Sequence, residues 1–289
     1  MLPRSLSRTL SPIYAQSSTL FTLATLVNSV LVGSLPLWNS KINQREAAVL
    51  WDGRFTSDTI STINNWSWSN QNGPYQWYIH GTGATAKYIS TSASYKNPAV
   101  RDALGLKLTI DNTAKWNSDM WRSELIPQTA AAINKGKLFY HFSVMHTSTN
   151  APNAAFEHQV CFFESHFTEL KFGWINGHAT NNPDPMLRWY AGSQSRWSTN
   201  FTADVWHNVA FGIDFGANSV TFYHSIGADP LIQTAGPVAT STSSNGADWH
   251  LGVLRLPKAG VSDGGPEDWY YSGVYIEDGA LTTSVAGPA

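Results

Sequence analysis

The chain has 289 residues, room for one large domain, with a formal charge of −2 and only 13% charged side chains. So little charge, so evenly balanced, argues against a nucleic-acid partner, which needs a concentrated basic face. The composition also argues against a coiled coil or a disordered charged chain.

Residues 1–48 differ from the rest. Arg4 and Arg8 come first, no acidic residue precedes Glu46, and an apolar stretch, "LFTLATLVNSVLV", runs from Leu20 to Val32. It is short for a membrane span and ends near small residues suited to a signal peptidase. The expectation is a secretory leader over 1–48, an extracellular protein and no stable membrane partner. A signal anchor and a start codon placed too far upstream are the alternatives. Two sequons, Asn65-Trp66-Ser67 and Asn200-Phe201-Thr202, fit a secreted chain.

From residue 49 onward the pattern is strand-like. "GLKLTI" (105–110), "KLFYHFSVMH" (137–146), "HQVCFFESHF" (158–167), "WHNVAFGIDF" (206–215), "SVTFYHSI" (219–226) and "WHLGVLRL" (249–256) are rich in β-branched and aromatic residues. Turn-forming clusters such as "TNAPNA" (149–154) and "DGGPED" (263–268) separate them. "DFGANSVTF" reads as a hairpin and "QTAAAINK" (128–135) as a short helix. Many short strands without intervening helices predict an all-β fold, a β-jelly roll sandwich of two antiparallel sheets, in one domain over 49–289. Cys161, the single cysteine, permits no intramolecular disulfide and reads as a small buried hydrophobe. The 13 Trp suit a large core and also a sugar groove, since each offers a broad apolar body and one N–H donor.

Two carboxylates sit in low-charge, strand-like runs: Glu124 in "WRSELIP" and Glu164 in "HQVCFFESHF". With a period of two, Arg122, Glu124 and Ile126 share one face. On the other run His158, Val160, Phe162, Glu164 and His166 share a face, with Cys161, Phe163 and Phe167 turned to the core. Glu157 and Glu169 then fall on the face away from Glu164. An unpaired carboxylate in mid-sheet is costly to bury, so each glutamate is either ion-paired, with Arg122 or His166, or needed for chemistry. The chemistry that uses two carboxylates is glycoside hydrolysis: one protonates the leaving oxygen, and the other activates water or attacks the sugar. An aromatic wall raises a carboxyl pKa as an acid requires, and a neighbouring cation keeps its partner ionised. Arg122, His158, His166 and Trp174 are the candidate sugar contacts, and Asp119 a candidate for the cleft end. His207, His224 and His250 read as structural or rim residues. The Glu164–His166 pair has no third metal ligand in view, and no cofactor is expected.

The blocks "VLWDGRF" (49–55), "YKNP" (95–98), "WRSELIP" (121–127), "HQVCFFESHFTELKFGW" (158–174), "WHNVAFGIDF" (206–215), "NGADWHLGVLRLP" (245–257) and "EDWYYSGVYIEDG" (267–279) resemble glycoside hydrolase family 131, fungal secreted β-glucanases. The resemblance runs from about residue 49 to the end of the chain. It implies a β-jelly roll that hydrolyses β-1,3, β-1,6 and β-1,4 bonds of glucans by an inverting route. It also implies a catalytic pair from the SEL and FFESHF motifs, here Glu124 and Glu164. Glu164, among aromatics, is expected to donate the proton, and Glu124, beside Arg122, to hold the attacking water. The partner is then a β-glucan, and the chain is expected to be a monomer. Two other readings fit the same sandwich. A polysaccharide lyase needs a groove rich in cations and yields an ultraviolet-absorbing product. A lectin-like glucan-binding module needs no carboxylate pair.

Overall fold

The computed structural model describes residues 46–57, 73–180 and 182–288. The leader is outside these residues except for its last three, and Ala48 already opens the first strand. The sequon at Asn65 is outside them as well.

The described residues form two antiparallel sheets, the jelly-roll sandwich expected from the sequence. One sheet contains β1 (Ala48–Asp52), β3 (Ile89–Ser92), β4 (Gly105–Ile110), β6 (Lys137–Met145), β11 (His207–Asp214), β12 (Ser219–Ile226), β13 (Ile232–Ala239) and β15 (Glu267–Asp278). Its order is β13-β12-β11-β6-β15-β4-β3, with β1 also paired to β15. The other contains β2 (Tyr75–Ile79), β5 (Trp121–Pro127), β7 (His158–Phe163), β8 (Thr168–Phe172), β9 (Met186–Ala191), β10 (Gln194–Asn200) and β14 (Trp249–Arg255). Its order is β10-β9-β8-β7-β14-β5-β2. Sequence neighbours that pair directly, such as β11 and β12, do so through tight turns. There the Asp214 carboxylate accepts from the N–H groups of Gly216 and Ala217 and closes the hairpin.

The core between the sheets is aromatic. Trp249 meets Tyr140 and Trp51 edge-on, Trp189 stacks on Phe222, and Phe172, Phe201 and Trp269 pack together. This packing absorbs many of the tryptophans. Cys161 is buried and free, and burial pushes its thiol pKa up, so it is an inert core residue. The helix predicted at 128–135 is not formed. Its residues make turns, with Ile133 anchored in the core and Gly136 at φ 67°. Eight residues are too few to sustain an isolated helix unless packing supports it. No helix of the described residues is long and apolar enough to cross a membrane.

The run 158–167 departs most from the sequence expectation. β7 ends at Phe163, and Glu164 and Ser165 belong to the turn into β8. Inside β7 the ladder with β14 slips: Phe162 faces His250 and Val160 faces Val253, so Leu251 and Gly252 lie opposite Cys161 alone. Cys161 has φ 48° and Gly252 φ 150°. This bulge shifts the alternation by one residue. Val160 and Cys161 therefore both join the core, and His158 points between the sheets while Phe162 points outward.

Candidate active site

The outer face of the β2–β10 sheet carries a cleft of about 320 Å³ lined by Ile79, Trp116, Arg122, Ile126, Glu164 and His250 together with the 245–248 loop. Strand β5 supplies Arg122 and Glu124 from one face, and β14 supplies His250. The bulged end of β7 delivers Glu164, whose N–H donates to the carbonyl of Asp248 at 2.9 Å and so ties the turn to the 245–248 loop. Phe162 lies opposite His250 across the ladder and stacks on it, with ring centres 4.6 Å apart. Gly252 pairs with Glu124, and the backbones approach so closely that a Cβ at 252 would lie 2.3 Å from the Ser123 carbonyl oxygen.

Glu124 has no exposed side-chain surface. The Arg122 guanidinium grips both its oxygens at 2.7 Å, and His250 Nδ1 donates to it at 2.7 Å. On the other edge of the same ring, His250 Nε2 lies 3.2 Å from Glu164. Both ring nitrogens face carboxylates, so both carry protons and the ring is an imidazolium. Burial works against that charge, but the two carboxylates outweigh it and raise the His250 pKa to about 9. Burial likewise works to raise the Glu124 pKa. The hydrogen bonds from His250 and Arg122 outweigh it and hold the group below its ordinary value. Glu164 is 69% exposed on its side chain, and its pKa is also lowered, chiefly by the His250 hydrogen bond.

The two glutamates thus meet in one cluster, in an arrangement the sequence did not show. An imidazole rather than an open gap lies between them. Glu164 is not pushed toward the neutral form by its aromatic neighbours, because His250 governs its charge. Glu124 has every oxygen occupied and no surface on which to hold a water in the unliganded cleft. Arg122 is at the cleft and lies 5.9 Å from the ring centre of Trp116.

The other expected contacts scatter. His158 is fully buried between the sheets and pairs with Glu267 at 2.7 Å, so it does not face the groove. His166 stacks on the far side of Phe162, 5.3 Å away, and its Nδ1 lies 3.2 Å from Glu169. That places Glu169 on the outer face, where the unbroken alternation did not put it. Trp174 lines a second hollow. Asp119 is exposed and pairs with Lys115. No three His, Cys, Asp or Glu side chains among the described residues are grouped to hold a metal ion. The sequence reading missed His250 as a site residue. Its signal was the alternation in "WHLGVLRL", where Trp249, Leu251 and Val253 are core and His250 is therefore outward. It also missed Trp116, 38% exposed in the loop before β5, for which no periodic signal exists.

Comparison with known proteins bears on the family. Residues 49–282 match the model of the glycoside hydrolase 131 catalytic N-terminal domain. The chain is similar to the crystal structure of a GH131 β-glucanase catalytic domain from Podospora anserina. Identity is 57% and the TM-score 0.79, over 83% of this chain and 100% of that one. It is also similar to the catalytic domain of the glycoside hydrolase family 131 protein from Coprinopsis cinerea. There identity is 51% and the TM-score 0.75, over 82% of this chain and 97% of that one. No curated protein matches. A cleft built on a carboxylate–imidazolium–carboxylate row, in a chain so covered by one family, leaves one assignment: the chain belongs to glycoside hydrolase family 131.

Proposed function

We propose that the chain hydrolyses β-glucans, with β-1,3, β-1,6 and β-1,4 bonds as the linkages its resemblance implies, and that Glu164 and Glu124 are its essential carboxylates. The observation that carries the reading is the row Glu124–His250–Glu164 across the floor of the cleft. Glu164 is the member a sugar can touch. It shares one proton with His250, and the pair titrates as a unit. As the glycosidic bond breaks, the proton passes from His250 Nε2 to Glu164 and on to the leaving oxygen, while a water adds its oxygen to the anomeric carbon and releases a proton to solvent, from which His250 is reprotonated. Glu124 acts through His250: it keeps the imidazolium charged in the resting cleft and holds the ring where that transfer is short.

An inverting route is the one the resemblance implies. Because an imidazole fills the space between Glu124 and Glu164, their separation does not measure room for an attacking water, and the inverting route rests on the resemblance. With its cations paired to Glu124 and Glu164 and Asp248 also at the cleft, the site favours an uncharged glucan over the uronate of a lyase substrate. A single domain over 49–289, acting outside the cell, belongs to the same reading. Asn200 and Thr202 of the second sequon are exposed at the end of β10, as an acceptor triplet requires.

The test is reducing-sugar release from laminarin and from a β-1,4-glucan by wild type, Glu164→Gln and Glu124→Gln, with product anomers followed by NMR. We expect an active wild type, an inverted product, and a loss of about 10³-fold in each variant while it remains folded. A wild type that binds glucan without cleaving it would replace the hydrolase reading with a binding module.

A further inference from the structure

The outer face of the sheet does not end at the catalytic cleft. A second hollow, about 440 Å³, opens farther along the same strands. Its walls include Met120, Trp174, Asn176, Leu256, Pro257 and Lys258. Met120 is two residues before Arg122, and Leu256 is six residues beyond His250. At about 3.3 Å per residue, the two linings come within roughly 7 Å of each other along β5, while about 20 Å separates His250 from Leu256 along β14. A continuous row of contacts on the same face joins them. His250 stacks on Phe162 and Phe162 on His166, and His166 pairs with Glu169. Lys171 reaches both Glu169 and Glu157, and Glu157 accepts from the N–H of Asn176 at the second hollow.

We propose that this hollow is a distal sugar subsite, and that a glucan chain lying across Glu164 extends several rings along the sheet to rest on Trp174. Trp174 is half-exposed, and its Nε1–H donates to the Thr180 carbonyl at 2.5 Å, which fixes the plane of the indole. One face of the ring is occupied by the Lys258 ammonium, 3.5 Å from its centre. That face is the electron-rich surface that attracts positive charge. The C–H bonds of a pyranose, polarised positive at hydrogen, seek the same surface. Among the described residues the Lys258 ammonium donates a single hydrogen bond, to the Ala155 carbonyl at 3.2 Å, so an arriving ring displaces a lightly tethered side chain. The freed ammonium and the exposed Asn176 amide then supply donors for sugar hydroxyls. Glu157 is different: its carboxylate is taken by Lys171, Gln159 and the Asn176 N–H, so it forms the wall and has no catalytic part.

This inference rests on the hydrolase reading only for the direction of the chain, and binding tests it independently. Glu164→Gln, alone and combined with Trp174→Ala, is titrated with β-glucan trisaccharide and hexasaccharide by calorimetry. Circular dichroism is compared first to establish that both variants are folded. We expect Glu164→Gln to prefer the hexasaccharide and the added Trp174→Ala to lower that preference by about tenfold, the worth of one aromatic platform. In Glu164-containing protein, Trp174→Ala should lower kcat/KM for the hexasaccharide relative to the trisaccharide by a similar ratio. An unchanged preference, or an equal loss on both ligands, overturns the subsite. Should the wild type cleave nothing while the length preference still depends on Trp174, the hydrolase reading fails and the subsite stands.

Discussion

The charge of His250 is set by its neighbours, and removing one of them reveals how much. Glu124→Gln leaves Arg122 without its carboxylate and His250 with only Glu164. The His250 pKa, about 9 in the intact cleft, should then fall. If the proton for the leaving oxygen comes from this ring, the alkaline limb of kcat/KM lies near pH 9 in the wild type. It moves to lower pH in whatever activity Glu124→Gln retains. A limb that stays in place would show that the proton comes from elsewhere. The same residue contributes to stability with a definite sign. Its folded pKa is raised above the ordinary 6.5, so its contribution is complete below about pH 6.5 and is lost as the pH rises through about 9. Melting temperatures over that window should decline in the wild type and decline less in His250→Gln. At this scale the sequence was half legible. Glu124, in an uncharged strand, could be found by the cost of burying it, whereas Glu164 proved to lie exposed in a turn, and the cation between them came from a strand 126 residues away from Glu124 and could not be paired with them.

The strands named from composition, β4, β6, β11, β12 and β14, are present within a residue or two of their expected bounds. Their alternating or β-branched patterns are local and survive packing. β3, β10 and β13 escaped because Ser, Thr, Gln and Gly dominate them and their partners, not their own side chains, hold them in place. The bulge of β7 against β14 is a different kind of omission. Nothing in "HQVCFFES" announces that Cys161 takes a positive φ, and the unbroken alternation put His158 on the wrong face. Gly252 gives the bulge its test. Gly252→Ala places a methyl group against Ser123 and Glu124 at a φ of 150°, which a side chain rarely adopts. We expect a loss of about 2–4 kcal/mol in denaturant unfolding, and a loss of activity that persists under conditions where the variant is fully folded, because Glu124 and its partners shift. A fully active Gly252→Ala variant would show that the bulge does not position the site.

Between the sheets a buried ionic clamp spans the sandwich. Arg255 and His158 on one sheet meet Glu267 on the other at 2.9 and 2.7 Å, and all three are nearly without exposure. The Arg255 guanidinium also lies 3.3 Å from the ring centre of Trp121. Burial works to raise the Glu267 pKa, but His158 and Arg255 outweigh it and hold it below its ordinary value. Its share of stability is therefore present at neutral pH and lost as the pH falls through the acid range. Glu267→Gln strands the Arg255 cation in the core, leaves His158 without its carboxylate, and should cost about 3–5 kcal/mol of stability. The activity of molecules that remain folded should persist, since the clamp lies on the far side of the sheet from the cleft. Equal loss of both would couple the clamp to the site. Jelly-roll architecture was readable from strand spacing. This clamp was not, since it joins residues 109 apart for His158 and 12 apart for Arg255 through a third dimension that periodicity does not contain.

The row Glu124–His250–Glu164 has one more property. Glu124 and Glu164 bring two negative charges, and Arg122 and His250 bring two positive ones, each within hydrogen-bonding reach of the next. The row is thus internally neutral before anything enters, and among the other residues lining the cleft only Asp248 adds a formal charge, so its field is weak. Such a cleft has no long-range pull to offer. Ionic strength should leave the encounter rate with a neutral polysaccharide almost untouched, in contrast to sites that draw in charged substrates over a Debye length.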